Sequence, residues 1–299
     1  MNQLLACDLT IGEAIKNMTA VFTGLFESPR EAKKRAQMIV SEAAGLDDFD
    51  LFLNFNEPLN EQQTIKLNRL AERCKAGEPV QYVVGKAYFR NIVLNVDRSV
   101  LIPRQETELI VDIVKDHCGR DNAGQYLIAD IGCGSGAIAL SVAEEIDGAE
   151  VFASDISGQA LNVCHENAEK LRLTEKMRFL RGDLFEPFNG EIQFDVIIAN
   201  LPYISEKEMS DLPDEIKKFE PTAALHGGKD GLYYIKRLIG EAPKFLKNGG
   251  LMVLEIGHNQ SLKVNGILEA KSWQSIKAVN DYAGVSRFIV ARTVADTAA

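Results

Sequence analysis

A chain of 299 residues, 46% hydrophobic and 25% charged, has the balance of an ordinary globular protein, with room for one large domain or two modest ones. A net charge of −10 argues against broad adhesion to nucleic acid phosphates, though not against a local basic patch, and favours a protein partner or small substrate. No apolar run reaches the roughly 18 residues of a membrane span, residues 1–10 lack the basic-then-apolar order of a secretory signal, and five scattered cysteines (Cys7, Cys74, Cys118, Cys133, Cys164) and four histidines without ligand spacing predict free thiols in a cytoplasmic protein with no metal site.

The first eighty residues read as helices. Thr10 and Glu13 form a capping-box pair ahead of an apolar-periodic stretch ending near Phe26. Ser28, Pro29 and Glu31 open a second helix that Gly45 can close. A short segment over Leu51 to Phe55 precedes a helix from Glu61 to Ala76, ended by Gly77. Between Val80 and Val100 the runs 81–85 and 89–96 are rich in β-branched and aromatic residues around a glycine, which predicts a hairpin. A helix from about Glu106 to Asp116 follows. The reading divides the chain into a helical domain over residues 1–79, a hairpin linker over 80–100 and an α/β domain over 101–299.

From Gln125 onward strands alternate with helices. Strands are predicted over Tyr126–Asp130, Val151–Asp155, Met177–Leu180, Phe194–Ala199 and Leu251–Ile256, with helices over Ala137–Ile146, Ser157–Leu171 and Gly231–Phe245. That alternation implies a doubly wound, mostly parallel sheet covered on both faces. The last two runs, 275–279 and 286–291, are joined by a loop too short for a parallel crossover, so they pair antiparallel. The sheet therefore ends in one antiparallel strand. The tail, Val294 to Ala299, is expected to fray.

The first of these strands ends in Asp130-Ile131-Gly132-Cys133-Gly134-Ser135-Gly136 and passes into a helix. Glycines there allow a tight turn and close approach of a ligand to main-chain N–H groups. The pattern also satisfies a dinucleotide fingerprint, so the loop alone leaves a nicotinamide-type cofactor open. Asp155, at the second strand tip, can accept both hydroxyls of a ribose, a role shared by NAD-type and S-adenosylmethionine-type sites; its bland reading is a helix cap. Asp183, at the third tip, suits a hydrogen bond from an adenine amino group, and Leu184 or Phe185 suits its apolar face.

The fourth strand runs into Asn200-Leu201-Pro202-Tyr203. This Asn-x-Pro-aromatic tetrad is similar to the signature of amino and amide methyltransferases that use S-adenosylmethionine. Its chemistry is intelligible, because an amide nitrogen is a poor nucleophile with a lone pair delocalised into its carbonyl. If the Asn200 side-chain oxygen and the Leu201 carbonyl each accept one N–H, that lone pair is aimed at the methyl donor. Pro202 fixes the backbone and offers no competing N–H, and Tyr203 can stack on a planar group. Orientation and acceptors for the positive charge growing on nitrogen then do the work, without a strong general base. An ordinary turn is the bland reading of the same residues.

On these residues the chain resembles the release factor glutamine methyltransferases over nearly its whole length. The resemblance takes in Gly77-Glu78-Pro79-Val80-Gln81-Tyr82, Leu101-Ile102-Pro103-Arg104-Gln105-Glu106-Thr107-Glu108, the loop and tetrad, Phe219-Glu220-Pro221, and the run from Ala224 through Gly227-Gly228-Lys229-Asp230-Gly231-Leu232. It implies an S-adenosylmethionine-dependent enzyme that N5-methylates the glutamine of the Gly-Gly-Gln loop in peptide chain release factors. Gly132, Cys133, Gly134, Ser135, Gly136, Asp155, Asp183, Leu184 and Asn200 would bind the cofactor. Asn200, Leu201, Pro202 and Tyr203 would hold the glutamine, and the helical domain would help engage the partner. Two positions depart from the family pattern: Leu201 stands where it usually has Pro, and Gln105 where Pro is common. Asn-Leu-Pro-Tyr also resembles ribosomal RNA adenine dimethyltransferases. The alternatives are therefore glutamine methylation of a ribosomal protein and adenine-N6 methylation of RNA or DNA. A dehydrogenase leaves the tetrad unexplained, and a non-catalytic binding module leaves both loop and tetrad unexplained.

Overall fold

The computed structural model describes residues 9–24, 28–119, 124–188, 190, 192–271 and 273–293. Phe26, Cys7 and the expected frayed tail lie outside them. The chain forms two compact units, one of Met1–Lys86 with Asp214–Phe219, the other of Ala87–Pro213 with Glu220–Ala299.

In the first unit, α1 (Ile11–Thr23) starts from a capping box in which Thr10 and Glu13 satisfy each other's backbone N–H. α2 (Pro29–Ala44) has Pro29 in its first turn and ends at Gly45 in the left-handed region. α3 (Asp48–Leu53) is short, and α4 (Glu61–Lys75) opens with a second capping box between Asn60 and Gln63. Ile15, Met18 and Phe22 of α1 meet Ala36, Ile39 and Val40 of α2 and Leu67 and Leu70 of α4 in one core.

The run 81–85, expected as the first hairpin strand, is instead α5 (Val80–Val84). Pro79 precedes its first turn and Gly85, at φ 71°, stops it. Val83 and Val84 bury in the helical core, and that packing outweighs the strand preference of β-branched residues. The hairpin itself is β1 (Lys86–Phe89) and β2 (Ile92–Asn95), joined by Arg90 and Asn91.

Next come α6 (Glu108–Cys118), β3 (Tyr126–Ile131), α7 (Ala137–Glu145), β4 (Ala149–Asp155), α8 (Gly158–Leu171), β5 (Met177–Arg181) and β6 (Phe194–Ala199). α9 (Glu206–Met209), α10 (Asp214–Phe219), α11 (Tyr233–Glu241), β7 (Leu246–Glu255), α12 (Ser261–Glu269), β8 (Gln274–Asn280) and β9 (Ser286–Arg292) complete the chain. α11 is shorter than expected because Pro243 turns residues 242–244 into a 3₁₀ turn. α12 has no counterpart among the expected helices. Its weak amphipathic pattern, with Leu262 88% exposed, hides it from a periodicity search.

Seven strands pair in the order β5-β4-β3-β6-β7-β9-β8. Pairings from β5 to β7 are parallel, and β9 runs antiparallel to both neighbours. The antiparallel strand is thus not the terminal one: β9 lies between β7 and the edge strand β8. Register slips occur in β8 between Gln274 and Lys277 and again at Val279/Asn280, and Ser275 sits at φ 52°. Consecutive residues Val196–Ala199 of β6 are fully buried, as a central strand covered on both faces must be. The order turns back at β3, whose neighbours are β4 and β6. The crevice at the carboxyl ends of such strands is where open α/β sheets bind ligands.

Candidate functional site

β3 ends at a loop that is braced against its neighbour and open toward the sheet edge. The N–H groups of Gly132 and Cys133 both donate to the Ser154 carbonyl of β4, tying the loop to that strand. Gly134 takes φ 54°, and a Cβ built there meets nothing within 4 Å, so the backbone faces open space. Gly136, at φ 82°, has no such room: a Cβ would lie 2.6 Å from Cys164 Sγ on α8. Gly136 is also the residue preceding α7, where it offers no capping side chain. The buried Asp130 supplies the acceptor instead, its Oδ2 taking the Ala139 N–H at 3.1 Å. Burial pushes its carboxyl up to about 7.

At the tip of β4, Asp155 Oδ2 accepts from Gly134 N at 2.9 Å and Oδ1 from Ser157 N at 2.8 Å. Burial raises this carboxyl, and the backbone N–H groups of Ser157, Gly134 and Ile156 pull it back down. A carboxylate has about four lone-pair sites, so acceptor capacity remains for a ligand. Asp155 both braces the loop and points the same group outward. At the tip of β5, Asp183 Oδ2 accepts from Arg237 Nη1 at 2.7 Å, a partner the sequence did not suggest. Leu184 is buried with φ 50°.

These residues converge on a cavity of about 460 Å³. Gly132, Cys133, Gly134, Ser135, Asp155, Asp183, Leu184, Asn200, Leu201 and Pro202 line it. Gly136 and Tyr203 do not: Gly136 packs on Cys164, and Tyr203 turns its hydroxyl to Glu255 Oε1 at 3.3 Å. Leu201 is buried, with Cδ2 packed against Gly132. Cys133 is held close to Cys164, and that contact and burial push its thiol well up. The thiols of Cys74, Cys118, Cys133 and Cys164 are free.

The wall also carries residues that sequence reasoning had placed in motifs without a role. Arg104, Thr107, Pro221 and Ala224 line the cavity, and Arg104 donates to the buried Glu220 at 2.6 Å. Asn200 Nδ2 lies 3.4 Å from Thr107 Oγ1, and Thr107 donates to Glu255 Oε2 at 2.7 Å. Glu255 was missed altogether. It ends β7, an acid at a strand tip on the ligand edge, the same signal that singled out Asp155. Burial moves its carboxyl up to about 6, against the hydrogen bonds from Thr107 and Tyr203. Among the described residues no cluster of His, Cys, Asp or Glu is placed to hold a metal ion, and no helix is long and apolar enough to cross a membrane.

A doubly wound sheet with a glycine loop, acids at successive strand tips and an Asn-x-Pro-Tyr turn defines a methyltransferase. Residues 106–218 match the model of the methyltransferase small domain, and residues 13–85 that of the PrmC N-terminal domain. The release factor glutamine methyltransferase of Thermodesulfovibrio yellowstonii is 37% identical over 86% of this chain and 91% of its own. That of Bacillus subtilis is 37% identical over 94% and 97% respectively. The chain belongs to the release factor glutamine methyltransferase family. Its fold is also that of the hMettl16 catalytic domain, solved in complex with MAT2A 3′UTR hairpin 6 (TM-score 0.56, 17% identity, 68% of this chain and 77% of that one).

Proposed function

We propose that the chain N5-methylates the glutamine of the Gly-Gly-Gln loop in peptide chain release factors, using S-adenosylmethionine. The observation that carries the reading is one cavity. The glycine loop, Asp155, Asp183 and Asn200-Leu201-Pro202 all line it, in a chain of this family.

The residues present fit the cofactor. Gly134 leaves space where a side chain would fill it, and Asp155 keeps acceptor capacity for a ribose hydroxyl. Ile156, 60% exposed in the cavity wall, offers an apolar face to a flat base. Asp183, steadied by Arg237, retains acceptor capacity for an amino group. When bound, S-adenosylmethionine supplies an electrophilic methyl on a sulfonium.

The chain does the rest by position. Asn200 and the Leu201 carbonyl accept the two N–H groups of the glutamine amide and present its nitrogen edge. The same acceptors stabilise the positive charge that develops there. A proline at 202 leaves no N–H in the turn to compete. Tyr203 acts from behind: its hydroxyl is held by Glu255, so it braces the turn and does not stack on substrate.

The test is mass spectrometry after incubating the full chain with a purified release factor and S-adenosylmethionine. One added methyl on the Gly-Gly-Gln glutamine is expected, and none when that glutamine is alanine. Methylation of a ribosomal protein or of ribosomal RNA, with the release factor untouched, would overturn the assignment.

A further inference from the structure

Asn200 can accept a substrate N–H only if its amide is turned the right way, with oxygen toward the cavity and NH2 away from it. Nothing in the tetrad itself enforces that choice, since the two ends of the amide are nearly the same size. The surroundings do. The Thr107 hydroxyl donates to Glu255 Oε2 at 2.7 Å, and Asn200 Nδ2 lies 3.4 Å from Thr107 Oγ1. Thr107 and Glu255 are 4% and 3% exposed, so the hydrogen bond between them is largely shielded from water. An ionised carboxylate only accepts hydrogen bonds, and a threonine hydroxyl has one proton. With that proton given to Glu255, the Thr107 oxygen can only accept, and only the NH2 end of Asn200 can meet it.

We propose that Glu255, acting through Thr107, is a positioning residue that sets which end of the Asn200 amide faces the substrate nitrogen. This rests on the reading that Asn200 is an acceptor for that nitrogen. Tyr203 is the second arm of the same carboxylate, donating to Oε1 at 3.3 Å. One buried group thus orients the first and last residues of the tetrad.

The device depends on ionisation. A protonated Glu255 has a hydrogen to place. Given to Thr107, it frees the threonine proton to point at Asn200, where it favours the oxygen and reverses the amide. Burial brings this titration up to about 6. The charged groups that act on it are Arg287 of β9, which favours the anion, and Glu106 ahead of α6, which opposes it. Arg287 is itself engaged by Asp281, at 3.3 Å. Glu255 is ionised above about 6 and protonated below, so turnover falls as pH falls through that value.

The experiment compares wild type with E255Q, T107V, T107S and N200A in the full chain, over about pH 5 to pH 8. Release factor is the substrate, and cofactor affinity is measured separately by calorimetry. E255Q and T107V should lower kcat roughly 10- to 100-fold, the size found when the outer-shell partner that orients a metal ligand is removed, with cofactor affinity little changed. T107S keeps the hydroxyl and should restore most of kcat. The acid limb of log kcat near 6 in wild type should vanish in E255Q. A ¹³C-glutamate carboxyl resonance titrating near 6, absent from E255Q, reports the group without reference to activity and holds even if a variant folds poorly. If N200A falls while T107V and E255Q keep wild-type kcat and pH profile, the positioning role is wrong and the Asn200 reading stands. If T107S is as damaged as T107V, the hydroxyl relay is wrong. If N200A itself turns over normally, the acceptor reading fails and takes this one with it.

Discussion

Asp130 shows how one side chain can serve the site and cost the fold. It is 1% exposed, sits just ahead of the glycine loop, and holds one backbone N–H of α7. Its carboxyl is pushed up to about 7 from an ordinary value of 3.8, chiefly by burial. The folded state therefore holds this proton more tightly than the unfolded chain does. That contribution is full below the ordinary carboxylate range and is lost as pH rises toward 7, on the order of 1.4 kcal/mol for each tenfold difference in proton affinity. Asp130→Asn keeps an oxygen for Ala139 and removes the charge. Its stability in urea should rise relative to wild type between about pH 4 and about pH 7, and a flat difference over that range would refute the account. The placing of the candidate site was legible where spacing carries chemistry: Gly132, Gly134, Asp155 and Asn200 line one cavity, and Gly136 does not. It was not legible where partners meet only in three dimensions. Arg237 on Asp183 is separated by 54 residues, and Thr107 on Glu255 by 148, and no pattern along the chain joins them.

Between elements, the clearest joint is Asn167 on α8. Fully buried, it accepts from Asn95 N at 2.7 Å and donates to Asn95 O and Ser135 O, each at 3.0 Å. One side chain thereby ties β2 and the glycine loop to the same helix. Asn167→Ala strands three backbone groups. At about 1–3 kcal/mol for each buried group left unpaired, with partial relief by relaxation, the loss should be roughly 2–4 kcal/mol in a urea titration. Weaker cofactor binding should accompany it, because Ser135 lines the cavity. A loss within about 0.5 kcal/mol, the range of an ordinary surface change, would mean the joint carries little. The elements themselves were largely readable, since alternating runs and caps are local signals. β3 to β6 fall on the expected runs, and β7 overlaps its own but starts five residues earlier, at Leu246. α5 was not readable, because Val80–Val84 looks like strand until the core that receives Val83 and Val84 is known.

At the scale of the whole molecule, the first unit is built from two stretches of chain, Met1–Lys86 and Asp214–Phe219. Within it Arg35 of α2 bonds both Glu31 and Glu215, at 2.7 and 3.3 Å. A sequence reading that cut the chain at residue 79 had no means to see the return of 214–219, whose membership is a matter of packing. A partner protein offers such a molecule more surface than its reacting side chain does. Binding energy far from the chemistry can be used to position the reacting nitrogen. A short Gly-Gly-Gln peptide should therefore react with a kcat/KM roughly 100-fold or more below that of an intact release factor. Steady-state rates on the two substrates measure this directly, and equal values would place all recognition in the cavity. The irregular β8 bears on a different property, the colloidal fate of the protein. An open sheet leaves an edge whose unpaired N–H and C=O groups can template fibril growth. Here that edge is interrupted by two register slips, a left-handed Ser275 and an exposed lysine at 277. An incoming strand finds no straight ladder to zip onto at β8, so of the two edges of the sheet, β5 and β8, this one is a poor template for growth.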